Sequence, residues 1–183
     1  MQMQLYSSGN TIGIPHFLVN PLTIRGQQRT YTSNAFVMPS REFWSADEVL
    51  VTTPQRKYTI SNLSEFFKDI GFPEGIDLVQ NSENLTYPLA SHAPNVTVHC
   101  FYGTGVATPE SFTFTGNQFP DSEPAVTKGD GDGTVNLRSL KGCERWVGRQ
   151  QGTVVSRQFP SVNHDNLLKD EGAHTLIKTL LNL

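Results

Sequence analysis

The chain has 183 residues, a formal net charge of −3 and 37% apolar residues, which suits a single domain with a hydrophobic core. This charge balance predicts no general affinity for nucleic acid or for an anionic membrane surface. No apolar run approaches the ~20 residues of a membrane-spanning helix. The N-terminal residues lack the basic start and apolar core of a signal peptide.

The first half of the chain gives one clear secondary-structure signal. Residues 1–60 are rich in Pro and polar residues and do not indicate an independent domain. Residues 61–70 predict an amphipathic helix, because apolar residues recur from Leu63 at i, i+3, i+4 and i+7. Gly71 is placed to end this helix. Residues 74–94 are polar and predict a loop.

The second half alternates predicted strands and helices. The clearest strand covers residues 96–102, and residues 111–115 are typical of one strand of a hairpin. A helical stretch at residues 137–149 is followed by a strand at residues 153–156. The terminal residues 167–181 predict a second amphipathic helix. This order fits the last third of an α/β-hydrolase, in which catalytic groups lie at the carboxyl edge of the sheet.

A carboxylate and a histidine occupy the turns within this pattern. Asp132 lies in the glycine-rich turn at residues 129–135, and His164 follows the next predicted strand. An acid and a histidine in these places are what an α/β-hydrolase uses as two members of a Ser-Asp-His triad; the alternative is a glycine-rich loop and a solvated histidine without catalytic roles. The acid accepts the Nδ1–H bond of the histidine, which is the general base. Asp130 is a neighbouring candidate but is better suited to shaping the turn. The other histidines are predicted to be structural or solvated: His16, His92, His99 and His174.

Two further interpretations of the chemistry fail on the sequence. A calcium-binding EF-hand loop that starts at Asp130 needs Gly at position six and Glu at position twelve, where this chain has Val135 and Lys141. No metal site is therefore predicted. The nucleophile is not identified either, because the chain contains no G-x-S-x-G elbow.

Cysteines and glycosylation sequons point to an oxidising compartment. The two cysteines, Cys100 and Cys143, form either a disulfide or a pair of buried thiols. A disulfide would contribute about 4 kcal/mol by closing the loop between them. Three N-x-S/T sequons, at Asn62, Asn84 and Asn95, predict a glycosylated surface.

Taken together, several segments of the chain resemble the lecithin–cholesterol acyltransferase family, most closely its lysosomal phospholipase A2 branch. The resemblance runs in order through nearly the whole sequence. The matching segments are residues 24–29, 66–72, 99–106, 108–112 and 129–139 and the turn at His164.

The resemblance implies a function and assigns residues to it. The family's catalytic acid falls on Asp132, its catalytic histidine on His164, and a family disulfide on Cys100 and Cys143. Its members transfer an acyl group from a phospholipid, through a Ser acyl-enzyme, to water or an alcohol acceptor. They act at a membrane or lipoprotein surface, need no cofactor or metal, and are lysosomal or extracellular glycoproteins.

The resemblance also implies an organisation. Met1 aligns beyond the family's Ser elbow, so the chain is expected to be the C-terminal portion of one α/β-hydrolase domain with an incomplete central sheet. Residues 1–94 would be lid, cap and connecting segments, and residues 95–183 the last strands and helices. Without the Ser nucleophile, the isolated chain is expected to be inactive. The alternatives are a truncated product with a lipid-binding or regulatory role, and a neutral-lipid lipase.

Overall fold

A computed structural model describes residues 2–11 and 14–183, which form a mixed α/β structure. The helices are α1 (Gln2–Tyr6), α2 (Pro21–Thr30), α3 (Thr32–Phe36), α4 (Leu63–Asp69), α5 (Gly75–Thr86), α6 (Leu137–Leu140) and α7 (Glu171–Leu181). The strands are β1 (Val49–Thr52), β2 (Lys57–Thr59), β3 (Val98–Thr104), β4 (Thr108–Thr113), β5 (Ala125–Gly129) and β6 (Val154–Pro160). Short 3₁₀ turns cover Ile60–Asn62, Leu89–His92, Lys141–Trp146 and Leu167–Lys169. No helix within the described ranges has the length and apolar character needed to cross a bilayer.

The described chain divides into two compact units. The first contains the residues up to Tyr87 together with Glu110–Thr127, and the second contains Pro88–Pro109 and Lys128–Leu183. A four-stranded sheet has the order β2-β1-β4-β5, with β1 antiparallel to β2 and parallel to β4. The first unit has an aromatic core, in which the most deeply buried rings belong to Tyr6, Tyr58, Phe66, Phe67, Phe112 and Phe114.

Helix α4 confirms the first predicted helix. Its apolar positions Leu63, Phe66 and Phe67 are buried in this core, and residues 60–62 form a 3₁₀ turn that leads into it. Gly71 follows the helix with φ +68°, the left-handed conformation typical of a residue just beyond a helix end.

The loop predicted at residues 74–94 is wrong over most of its length, because α5 occupies Gly75–Thr86. This helix buries a narrow stripe. Val79 is 2% exposed in the core, and Ile76 packs against the core one turn earlier. The other positions are mostly polar, so the apolar period is too short to detect in the sequence. Tertiary packing of this stripe stabilises the helix.

Helix α2 was also not predicted, and it is held by local polar contacts. It begins at Pro21, whose missing N–H is tolerated in the first turn of a helix. Asn20 caps it, its side chain accepting a hydrogen bond from the backbone N–H of Leu22. The buried Gln28 amide accepts from Asn10 N and donates to Asn10 O. Such a helix has little apolar periodicity.

The second unit is built on a parallel strand pair. Strand β3 pairs with β6 in continuous register from Val98 opposite Val154 to Thr104 opposite Pro160. Both predicted strands are confirmed, with bounds shifted by a few residues. Helix α7 confirms the terminal amphipathic helix. It is capped by Asp170, whose side chain accepts from the backbone N–H of Ala173. Because β3 and β6 are parallel, both carboxyl ends meet at one edge.

Candidate active site

The site begins where β3 and β6 end side by side. Thr104 and Pro160 are paired in register, and the next residue, Ser161, donates its backbone N–H to the Thr104 carbonyl at 2.7 Å. Gly105 and Ser161 both have positive φ, +75° and 61°. The chain therefore turns sharply at the end of each strand, and the two turns lie in contact.

The Asp132 turn joins the chain that leaves β3. Asp132 forms a parallel bridge with Val106, and Gly131 is bridged to Asn136 across the turn. The strand that precedes the acid turn, β5, belongs to the four-stranded sheet, whereas the partner of β6 is β3.

The Asp132 carboxylate is buried and oriented by backbone amides. It is 2% exposed. Its Oδ1 accepts hydrogen bonds from Thr134 N at 3.0 Å and Val135 N at 2.7 Å. Gly133, which separates Asp132 from these two amides, has φ +89°, a conformation that favours glycine. Since Oδ1 is occupied by these amides, Oδ2 remains for another partner.

That partner is His164. Its Nδ1 lies 2.8 Å from Asp132 Oδ2, and its backbone N–H donates to the Asp132 carbonyl, also at 2.8 Å. A carboxylate only accepts hydrogen bonds, so Nδ1 carries the proton in a neutral ring and Nε2 presents its lone pair. The imidazole is 51% exposed. Within the described ranges, Nε2 has no hydrogen-bond partner. The pair can therefore take a proton from a group brought to Nε2.

Close backbone packing holds the two turns together. A Cβ on Gly103 would overlap the carbonyl oxygen of Val162 and lie 3.3 Å from the Cβ of Asp132. Only glycine fits at this point between the strand end and the histidine turn. The position of His164 relative to Asp132 thus depends on having glycine, which has no side chain, at position 103 of β3.

Comparison with known proteins decides the family. The profile described as lecithin:cholesterol acyltransferase matches residues 1–90 and 77–171. The chain belongs to this family. The human "Lysosomal phospholipase A and acyltransferase" is 38% identical over 179 residues, 98% of this chain and 42% of the relative. Arabidopsis thaliana "Lecithin-cholesterol acyltransferase-like 1" is 40% identical over 173 residues, 93% of this chain and 37% of the relative.

A third member of the family is more distant. Mouse "Phosphatidylcholine-sterol acyltransferase" is 34% identical over 167 residues, covering 91% of this chain and 37% of the relative. The chain thus spans about two fifths of the length of these curated relatives.

Three other residues that the sequence analysis named, Asp130, Cys100 and Cys143, make structural contacts. Asp130 accepts a hydrogen bond from Gly105 N at 2.8 Å through Oδ1, so it shapes the turn. Cys100 and Cys143 form a disulfide that joins β3 to the 3₁₀ turn Lys141–Trp146. Among residues 2–11 and 14–183, no group of three or more His, Cys, Asp or Glu side chains is arranged to hold a metal ion.

The sequon asparagines differ in environment. Asn62 is partly buried, and its side chain accepts from Thr59 N at 2.6 Å and donates to Lys57 O at 3.1 Å. Asn84, on α5, and Asn95, before β3, are exposed. The Asn62 amide nitrogen is therefore engaged by the Lys57 carbonyl, and its amide oxygen takes part in the capping box of the 3₁₀ turn Ile60–Asn62.

Sequence reasoning missed one side chain at the site, Thr108. It is completely buried, and its hydroxyl bonds to the backbone of both Val106 and Gly133. A threonine before a proline is common in turns and carries no catalytic signal. The bridge between Val106 and Asp132 and the hydrogen bond from the Asn136 amide to the Pro109 carbonyl bring Thr108 against the acid turn.

Proposed function

We propose that Asp132 and His164 are the acid and general base of a Ser-dependent phospholipid acyl-ester hydrolase and O-acyltransferase. The observation that carries this proposal is the 2.8 Å contact between His164 Nδ1 and a carboxylate that is 2% exposed. The name of the human relative, which includes phospholipase A and acyltransferase, supports the same reaction. In this proposal the chain contributes two members of a triad.

The fold supports a hydrolase of the α/β type. The acid and the histidine lie in turns at the carboxyl edge of a parallel strand pair, which is where open α/β sheets place their sites. We assign residues 95–183 to the last strands and helices of an α/β-hydrolase domain. Residues 1–94 are assigned to lid, cap and connecting segments of the same domain.

In the first half-reaction His164 acts as base. Nε2 removes the hydroxyl proton of the nucleophilic serine while the serine oxygen attacks the acyl carbonyl of the phospholipid. Asp132 keeps the proton on Nδ1 and stabilises the positive imidazolium that forms. The imidazolium then gives the Nε2 proton to the departing lysophospholipid oxygen, and an acyl-enzyme remains.

In the second half-reaction the acceptor replaces the leaving group. Nε2 removes a proton from water or an alcohol, whose oxygen attacks the acyl-enzyme, and the same proton returns to the serine oxygen. Water gives a free fatty acid and an alcohol gives a new ester. Proton transfer and acyl transfer balance without a cofactor.

The disulfide and the relatives also bear on where the proposed enzyme acts. A disulfide between Cys100 and Cys143 persists in an oxidising compartment. The name of the human relative supports a lysosomal location, and an extracellular location is the alternative that we keep. We propose that the protein is a glycoprotein that acts peripherally at a membrane or lipoprotein surface.

A chimera tests the proposal. The segment of the human relative that matches this chain is replaced by this chain, and fatty acid release from phosphatidylcholine vesicles is measured. Losing one triad member costs roughly 10⁴–10⁶ in kcat, so His164→Ala and Asp132→Asn should both abolish measurable turnover. The matched control is His92→Ala, an exposed histidine in a 3₁₀ turn.

Three outcomes are informative. Turnover of the His164→Ala chimera at the parent rate would reject the proposal. Loss of turnover in His92→Ala as well would mean that the His164→Ala result reflects a folding defect, and the assignment of the general base to His164 would be rejected.

The 183-residue chain is assayed beside the chimera with a fluorophosphonate probe. Because its sequence has no G-x-S-x-G elbow, we expect no covalent labelling of this chain.

A further inference from the structure

One buried hydroxyl joins the acid turn to the segment that leaves β3. Thr108 is 0% exposed. Its Oγ1 donates to the Val106 carbonyl at 2.8 Å and accepts from the backbone N–H of Gly133 at 2.8 Å. A hydroxyl has one donor and two acceptor positions, so both contacts are made by a single side chain without conflict.

Because of its position in the turn, the hydrogen bond between Thr108 and Gly133 affects the orientation of the Asp132 carboxylate. Gly133 directly follows Asp132, and the next two amides, of Thr134 and Val135, orient Oδ1. The Thr108 contact therefore restrains the peptide that separates the acid from the amides that orient it. If that peptide rotates, the amides leave Oδ1 and the carboxylate is free to turn away from the histidine.

The turn is also packed directly against this threonine. A Cβ on Gly131 would lie 2.5 Å from Thr108 Oγ1 and 3.0 Å from its Cβ. Thr108 thus touches the residues on both sides of Asp132, one through packing and one through a hydrogen bond. Two other hydrogen bonds from the segment beyond β3, Gly105 N–H to Asp130 Oδ1 at 2.8 Å and Val106 N–H to the Gly131 carbonyl at 3.0 Å, hold only residues that precede Asp132.

We propose that Thr108 is a positioning residue that holds the Asp132 carboxylate towards His164 Nδ1. Its catalytic meaning rests on the function proposed above, but its effect on the histidine does not. When the hydroxyl is removed, Gly133 loses its partner and the turn relaxes. Asp132 then no longer keeps the proton on Nδ1, and the two neutral tautomers of His164 mix.

Nitrogen NMR of the ¹⁵N-histidine-labelled chain at mildly alkaline pH measures this directly. In the parent chain we expect two well-separated ring-nitrogen resonances for His164, those of the Nδ1–H tautomer. In Thr108→Val they should move towards each other, and the Nδ1 proton signal should broaden by faster exchange. Thr108→Ser keeps the hydroxyl and should restore the parent spectrum. Thr153→Val, an exposed threonine, is the matched control.

The outcomes separate a positioning role from a structural one. A Thr108→Val protein with a lower Tm but the parent His164 resonances would overturn the inference. Mixed tautomers in the parent chain would instead contradict the acid–histidine pair itself, and with it the proposed function.

In the chimera, a misplacement of about 1 Å costs up to ~10²-fold in rate. Thr108→Val should therefore lower kcat by at least about tenfold with KM unchanged, and Thr108→Ser should recover it.

A second variant covers failure of the valine protein to fold. Thr108→Ala removes the hydroxyl without adding a methyl group beside the turn, and should show the same tautomer mixing. Amide exchange in the parent chain gives an independent measurement. The Gly133 N–H should be protected when Thr108 accepts its hydrogen bond, and exchange at the rate of a free amide would overturn the inference.

Discussion

Gly103 offers the sharpest test of how the fold holds the pair together. Gly103→Ala places a methyl group well inside van der Waals distance of the Val162 carbonyl oxygen. That oxygen belongs to the backbone and the position of a Cβ is fixed by the backbone, so neither atom can rotate away. Nonbonded atoms need about 3.5 Å between centres, so the turn that carries His164 must move outward by more than about 1 Å. Such a shift breaks the 2.8 Å contact between Nδ1 and Oδ2.

Both activity and stability should respond. A 1 Å misplacement costs on the order of 10²-fold in rate, and overpacking of this kind costs about 1–3 kcal/mol of unfolding free energy. We expect the Gly103→Ala chimera to lose about 10²-fold in kcat on phosphatidylcholine vesicles at a temperature where it is fully folded. Urea unfolding of the same protein measures the stability cost separately.

The control for this experiment is another glycine. A Cβ on Gly116 meets nothing within 4 Å, so Gly116→Ala should leave activity and unfolding close to the parent values. If Gly103→Ala retains parent kcat while Gly116→Ala behaves as expected, the turn tolerates the methyl group without disturbing His164. The reasoning from close packing would then be refuted.

Three further predictions concern the rest of the described chain. Replacing Cys100 and Cys143 with alanine removes a cross-link across 43 residues and should cost about 4 kcal/mol in the chain-entropy model; dithiothreitol should lower the urea midpoint of the parent but not of the variant. Burial raises the pKa of Tyr6 to about 12 from an ordinary 10.0, so its stabilising contribution is complete below pH 10 and is lost between about pH 10 and 12. The urea midpoint should fall over this range, and less steeply in Tyr6→Phe; equal slopes would contradict the assignment. In a secretory host, peptide mapping should find glycan on Asn84, which is exposed, and none on Asn62, whose amide nitrogen donates to a carbonyl; glycan on Asn62 would show that its cap opens.

Residues with strong local signals were predictable. The i, i+3, i+4, i+7 spacing in α4 and the positive φ of Gly71 follow from side-chain periodicity and the conformational freedom of glycine. Helix α5 was not predictable because its core contacts are confined to Ile76, Leu78 and Val79 near its start, and packing rather than propensity selects the helix.

In the candidate site, too, some features follow from the sequence and others only from the tertiary structure. The sequence alone supplied an acid on a glycine-rich turn and a histidine after a strand, because turn chemistry and strand alternation are local properties of the chain. Tertiary structure decided that Asp132 is bridged to Val106, that Thr108 restrains its turn, and that Gly103 admits no side chain beside Val162. These contacts depend on the register of β3 with β6 and on the path of the chain beyond β3. The paired residues of β3 and β6 are far apart in the sequence and are not joined by a hairpin turn, so a local pattern does not identify them as partners.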